Sequence, residues 1–145
     1  MNEMLGNQYF MVRRYCDALA EFEEAYRKDP SNKPIRKKLI ICFIKTNRIE
    51  KAFKLFTKLV EEDLEFILNT DPILDDCPCP EIIYELEYSI ETNNQDKKNL
   101  ALGMLWLFCD MKNSIKYFLE LPSDEIIGSL LNKLNEKQNQ FNWET

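Results

Sequence analysis

LGNQYFMVRRYCDALAEFEEAYRKDP, residues 5–30, is the stretch that decides the fold of this chain. Apolar and small residues recur along it at steps of three and four: Leu5, Gly6, Tyr9 and Val12, then Ala18, Phe22 and Ala25. That spacing puts each set on one face of a helix and excludes the alternation of a strand. The first set predicts a helix over residues 1–14 and the second a helix over residues 15–28, which Asp29, Pro30, Ser31 and Asn32 bring to a stop. Gly6 and Ala18 are small, as expected where two helices cross closely and each small residue is the hole for a large one opposite.

Outward from that stretch the pattern returns at a constant shift, with Leu39, Phe43, Ala52 and Phe56 in the places of Leu5, Tyr9, Ala18 and Phe22, and Leu59 in that of Ala25. Ile40 replaces the glycine and Leu64 the proline. The second helix of this pair starts near Ile49, meets no proline before Pro72, and is expected to run to about Asn69.

Residues 1–30 resemble the tetratricopeptide repeat. That family's pattern, Trp-x2-Leu-Gly-x2-Tyr, then Ala-x3-Phe, then Pro, is met at every site except the first aromatic, where Asn2 stands. The shift that carries Leu5 to Leu39 also equals the family's period of about 34 residues. The resemblance implies an all-α solenoid of antiparallel helix pairs wound as a right-handed superhelix. Two clear repeats are expected, at residues 1–32 and 33–69.

Beyond them the match loosens. Residues 70–80 carry Asp71-Pro72 and Cys77-Pro78-Cys79-Pro80, which predict a loop because proline removes donors and fixes φ. A helix over residues 81–92 follows, with Ile82, Ile83, Leu86 and Ile90 inward, so that residues 70–95 form an insertion. Residues 96–121 read as a degenerate third pair at an offset of 62, with Ala101 and Leu105 in the places of Leu39 and Phe43, and Ser114, Phe118 and Leu121 in those of Ala52, Phe56 and Leu59. Ser123 is the expected N-cap of a capping helix over residues 122–137, followed by a frayed tail at 138–145 onto which Phe141 and Trp143 could fold back. One domain over residues 1–137 is expected.

Composition agrees with an all-α chain, since the 145 residues are 45% hydrophobic and 30% charged and include only three glycines, Gly6, Gly103 and Gly128. No run approaches the roughly 18 consecutive apolar residues of a spanning helix, and the first ten residues lack the basic-then-apolar order of a secretory signal. A soluble, cytoplasmic protein without membrane contact is expected. Five cysteines is an odd number, and Cys16, Cys42 and Cys109 lie within apolar helical pattern, so reduced thiols are expected rather than a disulfide framework. The net charge of −6 conceals a split: residues 1–58 hold 13 basic against 7 acidic side chains, and residues 59–145 hold 6 against 18.

Catalytic patterns are scarce. There is no histidine, no glycine-rich phosphate loop and no serine in a glycine-flanked elbow, so no enzyme activity and no cofactor are expected. Cys77 and Cys79 offer a structural loop, a redox thiol or a metal site; zinc asks for four ligands, which separate helices would have to bring together. At Cys79 the end of the following helix would lower the thiol pKa and the neighbouring acids would raise it.

In the family the first helix of each pair lines a concave surface that receives peptides. The resemblance therefore implies a peptide-binding groove of Asn7, Phe10, Met11 and Arg14 from the first repeat and Lys37, Lys38, Ile41, Ile44 and Lys45 from the second. Gly103, Trp106 and Leu107 are the equivalents in the third pair. Phe10, Ile44 and Trp106 would form an apolar stripe beside Arg14, Lys37 and Lys45, which suits a protein or peptide partner with apolar and acidic residues. The family's clamp for a chaperone's terminal carboxylate is not reproduced, because Glu3 stands where it needs lysine. The helix at 81–92 or the tail could instead fill the groove. Self-association through the oppositely charged halves, as a homo-oligomer, is the second reading. RNA binding by the basic run ranks lower, for want of interleaved exposed aromatics.

Overall fold

A computed structural model describes residues 2–71, 75, 77–89 and 94–144, with residues 141–144 described by their backbone alone. Eight helices and no strand occur among the described residues. The chain divides into two compact units, Met1–Asp76 and Cys77–Thr145. In each unit every helix packs on the one that follows it in sequence, the nearest-neighbour packing of a helix-pair solenoid.

The first unit holds α1 (Asn2–Met11), α2 (Tyr15–Lys28), α3 (Lys33–Lys45) and α4 (Ile49–Leu68). Helix α1 ends before residue 14 because Arg13 turns into the left-handed region at φ 63°; the amide of Arg14 then closes on the Tyr9 carbonyl at 2.9 Å. Asn47, one repeat period further on, takes the same turn at φ 62°, with the Arg48 amide 2.7 Å from the Phe43 carbonyl. The period read from side chains is thus also written in the backbone. Asn32 caps α3 through its side-chain oxygen, 3.2 Å from the Ile35 amide, and Pro34 occupies the first turn, where no donor is needed.

Helix α4 reaches Leu68, as its proline-free sequence predicts, yet it is broken at Asp63, which is extended (φ −161°, ψ 79°). The Asp63 carboxylate accepts from the Phe66 amide at 3.2 Å and so caps the helical segment beyond the break. The core of this unit is Ala18, Phe22, Ile40, Ala52, Phe56 and Leu59, all fully buried, with Phe10 edge-on to Tyr15 and Phe22. A Cβ on Gly6 would stand 2.7 Å from the Phe22 ring, so the glycine is what lets α1 and α2 cross at this separation.

The second unit holds α5 (Cys79–Glu87), α6 (Gln95–Leu107), α7 (Met111–Leu119) and α8 (Glu125–Glu144). Pro80 lies in the first turn of α5, and Ile82 and Ile83 are buried as expected. Ile90, expected inward, lies outside the described residues, as does part of the loop expected at 70–80. Asn94 caps α6 and Asp110 caps α7. Asp124, rather than Ser123, caps α8, its carboxylate 2.8 Å from the Ile127 amide. The backbone of α8 stays helical to Glu144 instead of fraying after residue 137, and the side chains of Phe141 and Trp143 lie outside the described residues.

Helices α6 and α7 repeat the crossing of the first pair: a Cβ on Gly103 would meet the Phe118 ring at 2.5 Å, and the Ser114 hydroxyl donates to the Gly103 carbonyl at 2.6 Å. Gly103 is therefore the counterpart of Gly6, not of Asn7. The register expected for this helix shifts by one residue, because the distance from the glycine to its covering phenylalanine is one residue shorter here than in the first pair. Trp106 becomes the counterpart of Tyr9, half-buried like it, and Leu107 that of Phe10, both buried.

Cys77 and Cys79 form a disulfide, with Cα atoms 5.4 Å apart, which corrects the expectation of reduced thiols for this pair. That separation lies inside the range a disulfide spans. Cys16, Cys42 and Cys109 are free. Burial pushes the Cys42 thiol up to about 12.

Candidate binding cleft

Within the first unit the first helices of both pairs and the end of α4 enclose a cleft of about 670 Å³. Asn7 and Met11 of α1 form one wall and Pro34, Lys37 and Lys38 of α3 the next. Asp63, Glu65, Phe66 and Asn69, at and beyond the break in α4, form the third with Asp75. The volume falls in the range of pockets that hold a small ligand or a few side chains. Met11, at 66% exposure, is a large apolar side chain left open to solvent on the cleft.

Four of the expected groove residues, Asn7, Met11, Lys37 and Lys38, are brought together here. Lys38 donates to the Asn7 side-chain oxygen at 2.7 Å and ties α3 to α1. Lys37 is only 5% exposed; its ammonium donates to the Thr70 hydroxyl at 3.1 Å and to Asp75 at 3.3 Å, and lies 5.1 Å from the centre of the Phe66 ring. Asp75 also accepts from the Asp71 amide at 2.8 Å, and that bond, followed by the Lys37 charge, holds its carboxyl below the usual range.

The other expected residues stand elsewhere. Phe10 is 1% exposed and Ile41 and Ile44 are equally core residues, so the expected apolar stripe is not a surface. These positions are apolar because the core needs them, and helical spacing alone does not separate a core face from a groove face. Arg14 pairs with Asp17 at 2.7 Å and lies over the Tyr9 ring, and Lys45 lies 5.9 Å from the Tyr15 ring; neither lines the cleft. Trp106 belongs to the second unit, where its indole donates to Glu87 of α5 at 2.9 Å. Glu87 also takes a hydrogen bond from Tyr117, whose hydroxyl is pushed up by burial and then by the Glu87 charge. There α5 does engage the residue expected in the groove.

Pro34, Asp63, Glu65, Phe66, Asn69 and Asp75 are not among the expected groove residues. The sequence carries a signal for most of them: Asp63 follows Asp29, the stop of the first pair, by the same period. Placing a stop there sends residues 64–69 out of the second helix and frees them to line a cleft.

The charge split also changes meaning. Acids from residues 59–76 belong to the first unit and meet its basic side chains: Lys33 pairs with Asp63 at 2.8 Å, Lys37 with Asp75, and Arg36 with Glu62. Hydrogen bonds from Arg36 and Lys33 hold Glu62 and Asp63 below the usual carboxylate range. Much of the excess positive charge read along residues 1–58 is thus compensated inside the same unit. Among the described residues no cluster of three or more Cys, Asp and Glu is placed to hold a metal ion, and no helix is long and apolar enough to cross a membrane.

Residues 10–66 match the family model described as tetratricopeptide repeat, which covers the last two residues of α1, all of α2 and α3, and α4 through Phe66. Neither a curated protein nor a solved structure matches the chain.

Proposed function

We propose, from the premise that residues 10–66 are tetratricopeptide-repeat sequence, that this protein is a non-catalytic interaction module whose first unit receives a peptide of a partner protein in the cleft between α1, α3 and the end of α4. Repeats of this family generally mediate contacts between proteins. The observation that carries the finer reading is the exposed Met11 on a concave wall shared by the first helices of both pairs. Met11, Phe66 and Pro34 supply apolar contact, and the amide of Asn7 with the ammonium groups of Lys37 and Lys38 supplies orientation, the division of labour of a recognition pocket.

The internal pairing of the basic side chains argues against the other two readings. Head-to-tail association and RNA binding both need an uncompensated positive face. Arg36 and Lys37 are turned inward and paired instead.

A direct test uses labelled nine-residue peptides of leucine alternating with glutamate, glutamine or lysine, titrated by fluorescence anisotropy. Saturable binding that disappears with Met11→Glu and survives Met4→Glu is expected. Met4 is as exposed as Met11 but lies off the cleft. Binding that Met11→Glu leaves intact, or the absence of binding by any peptide, would remove the cleft from the account.

A further inference from the structure

Resting on that reading of the cleft, we propose that the carboxylate of Asp75 is a built-in competitor for it, holding on Lys37 the place that an acidic side chain of an incoming peptide takes. The partner is then an acidic segment with apolar neighbours, and Asp75 sets the threshold it must exceed.

The geometry makes the exchange asymmetric. Lys37 is buried, and a buried ammonium has to stay paired and hydrogen-bonded. Its neutral partner, Thr70, is fixed in turn by donating to the Ile67 carbonyl at 2.8 Å. Its ionic partner is different: the Asp75 side chain is 40% exposed and reaches Lys37 at 3.3 Å, near the outer limit of a hydrogen bond. Asp75, half-exposed and held also by the Asp71 amide, can therefore leave Lys37 for water at less cost than Lys37 can leave its site. A peptide that displaces Asp75 must bring a negative group to replace it, and a neutral peptide must leave Asp75 where it is or strand a buried charge. Selectivity for acid follows from the burial of the cation more than from long-range attraction. The apolar walls, Met11, Pro34 and Phe66, add affinity without adding selectivity.

Asp75→Ala removes the competitor and leaves Lys37 its hydrogen bond to Thr70; because it also takes the counter-charge from a buried ammonium, urea denaturation of the variant checks that the pocket still folds. The glutamate-leucine peptide is expected to bind this variant about two- to fivefold more tightly than the wild type, the range an exposed ion pair can supply. The glutamine-leucine peptide is expected to bind both alike. Lys37→Met is expected to abolish discrimination between the two peptides. Independently of any peptide, acylation of Lys37 by an amine-reactive ester, read by peptide mass spectrometry, should be faster in Asp75→Ala by a similar factor. If the glutamate peptide binds wild type and Asp75→Ala equally while Met11→Glu still abolishes binding, the competitor is overturned and the cleft stands. If the peptides bind but neither Met11→Glu nor Lys37→Met changes their affinity, the cleft itself is overturned. If no peptide binds, the cleft reading falls, and unchanged acylation of Lys37 in Asp75→Ala overturns the contact as well.

Discussion

The ring of Phe118 closes over Gly103 so tightly that a methyl group on Gly103 would stand 2.5 Å from its edge, the relationship that Phe22 has to Gly6 in the other unit. A contact of that length must be relieved by moving a fully buried ring. Alanine in place of glycine inside a helix ordinarily stabilises by about 0.5–1 kcal/mol. At these two positions overpacking outweighs that gain, and Gly6→Ala and Gly103→Ala should each lower stability by about 1–3 kcal/mol. Gly128, in α8, has nothing within 4 Å of its would-be Cβ, so Gly128→Ala should raise stability instead. Urea denaturation of the three variants reads both signs; a stabilised Gly103→Ala protein would contradict this account of the crossing.

Arg13 and Asn47 hold the same left-handed turn one repeat period apart, and neither is glycine. The cost to a side chain there is on the order of 1 kcal/mol, and asparagine tolerates the region better than arginine. Arg13→Gly should therefore stabilise the protein by up to about 1 kcal/mol, and Asn47→Gly by less. A melting temperature that falls in Arg13→Gly would show that the Arg13 guanidinium, 3.3 Å from the Phe10 carbonyl, matters more than the backbone.

Arg36 is 2% exposed, yet among the described residues only one of its guanidinium nitrogens has a partner, Glu62, while Nε and Nη2 have none. It occupies the second-repeat position equivalent to Asn2, the site of the family's first aromatic residue. The aliphatic stem fills a place that suits an apolar side chain, and the buried charge is the liability. Arg36→Met should be neutral or stabilising, by on the order of 1 kcal/mol. Glu62→Gln should destabilise, because it leaves the buried guanidinium without its counter-charge. Chemical denaturation of both variants tests the pair; a large loss in Arg36→Met would show that the charge itself is needed.

The first pair is legible in the sequence because Gly6, Ala18 and Phe22 are constrained by one crossing, and a crossing leaves a fixed spacing. The second is legible to the same degree except at Asp63, where a helix former's sequence carries no proline to mark the break; only the period points to it. The third pair stands in the expected place but one residue out of the expected register on α6, since sequence spacing cannot tell which of two small or apolar neighbours faces the phenylalanine. The cleft is legible in part. Asn7, Met11, Lys37 and Lys38 follow from the helix faces, whereas Phe66 reaches it through the break at Asp63, which only the repeat period marks, and Asp75 has no counterpart in that pattern. Phe10, Ile41 and Ile44 are core rather than groove because apolar residues at helical spacing serve either equally well.

Cysteine reactivity separates the five thiols by environment. Cys16 and Cys109 are exposed and should react with a thiol reagent in the folded protein, Cys109 more slowly because burial of its sulfur and then Asp110 push its pKa up. Cys42, fully buried and titrating near 12, should react only on unfolding. Cys77 and Cys79 should react only after a reductant has opened their bond. Mass spectrometry of alkylated protein, native, then unfolded, then reduced, should show two, three and five labels; labelling of Cys42 in the native state would contradict its burial.

Acid should loosen the first unit before the second. Glu62, Asp63 and Asp75 all titrate below the usual carboxylate range in the folded chain, held down by Arg36, by Lys33, and by the Asp71 amide with Lys37. In the unfolded chain they return to about 3.9–4.3. The unfolded state therefore binds more protons in that window, so the stability they contribute is fully present above it and is lost as pH falls through their folded values. Hydrogen exchange followed between pH 6 and pH 3, corrected for intrinsic rates, should show the amides of α3 and α4 losing protection ahead of those of α6 and α7. Because Asp75 is among the three, its release from Lys37 on protonation should show as faster exchange at Asp71, whose amide it accepts from. Uniform loss across both units would mean that these pairs do not set the acid limit.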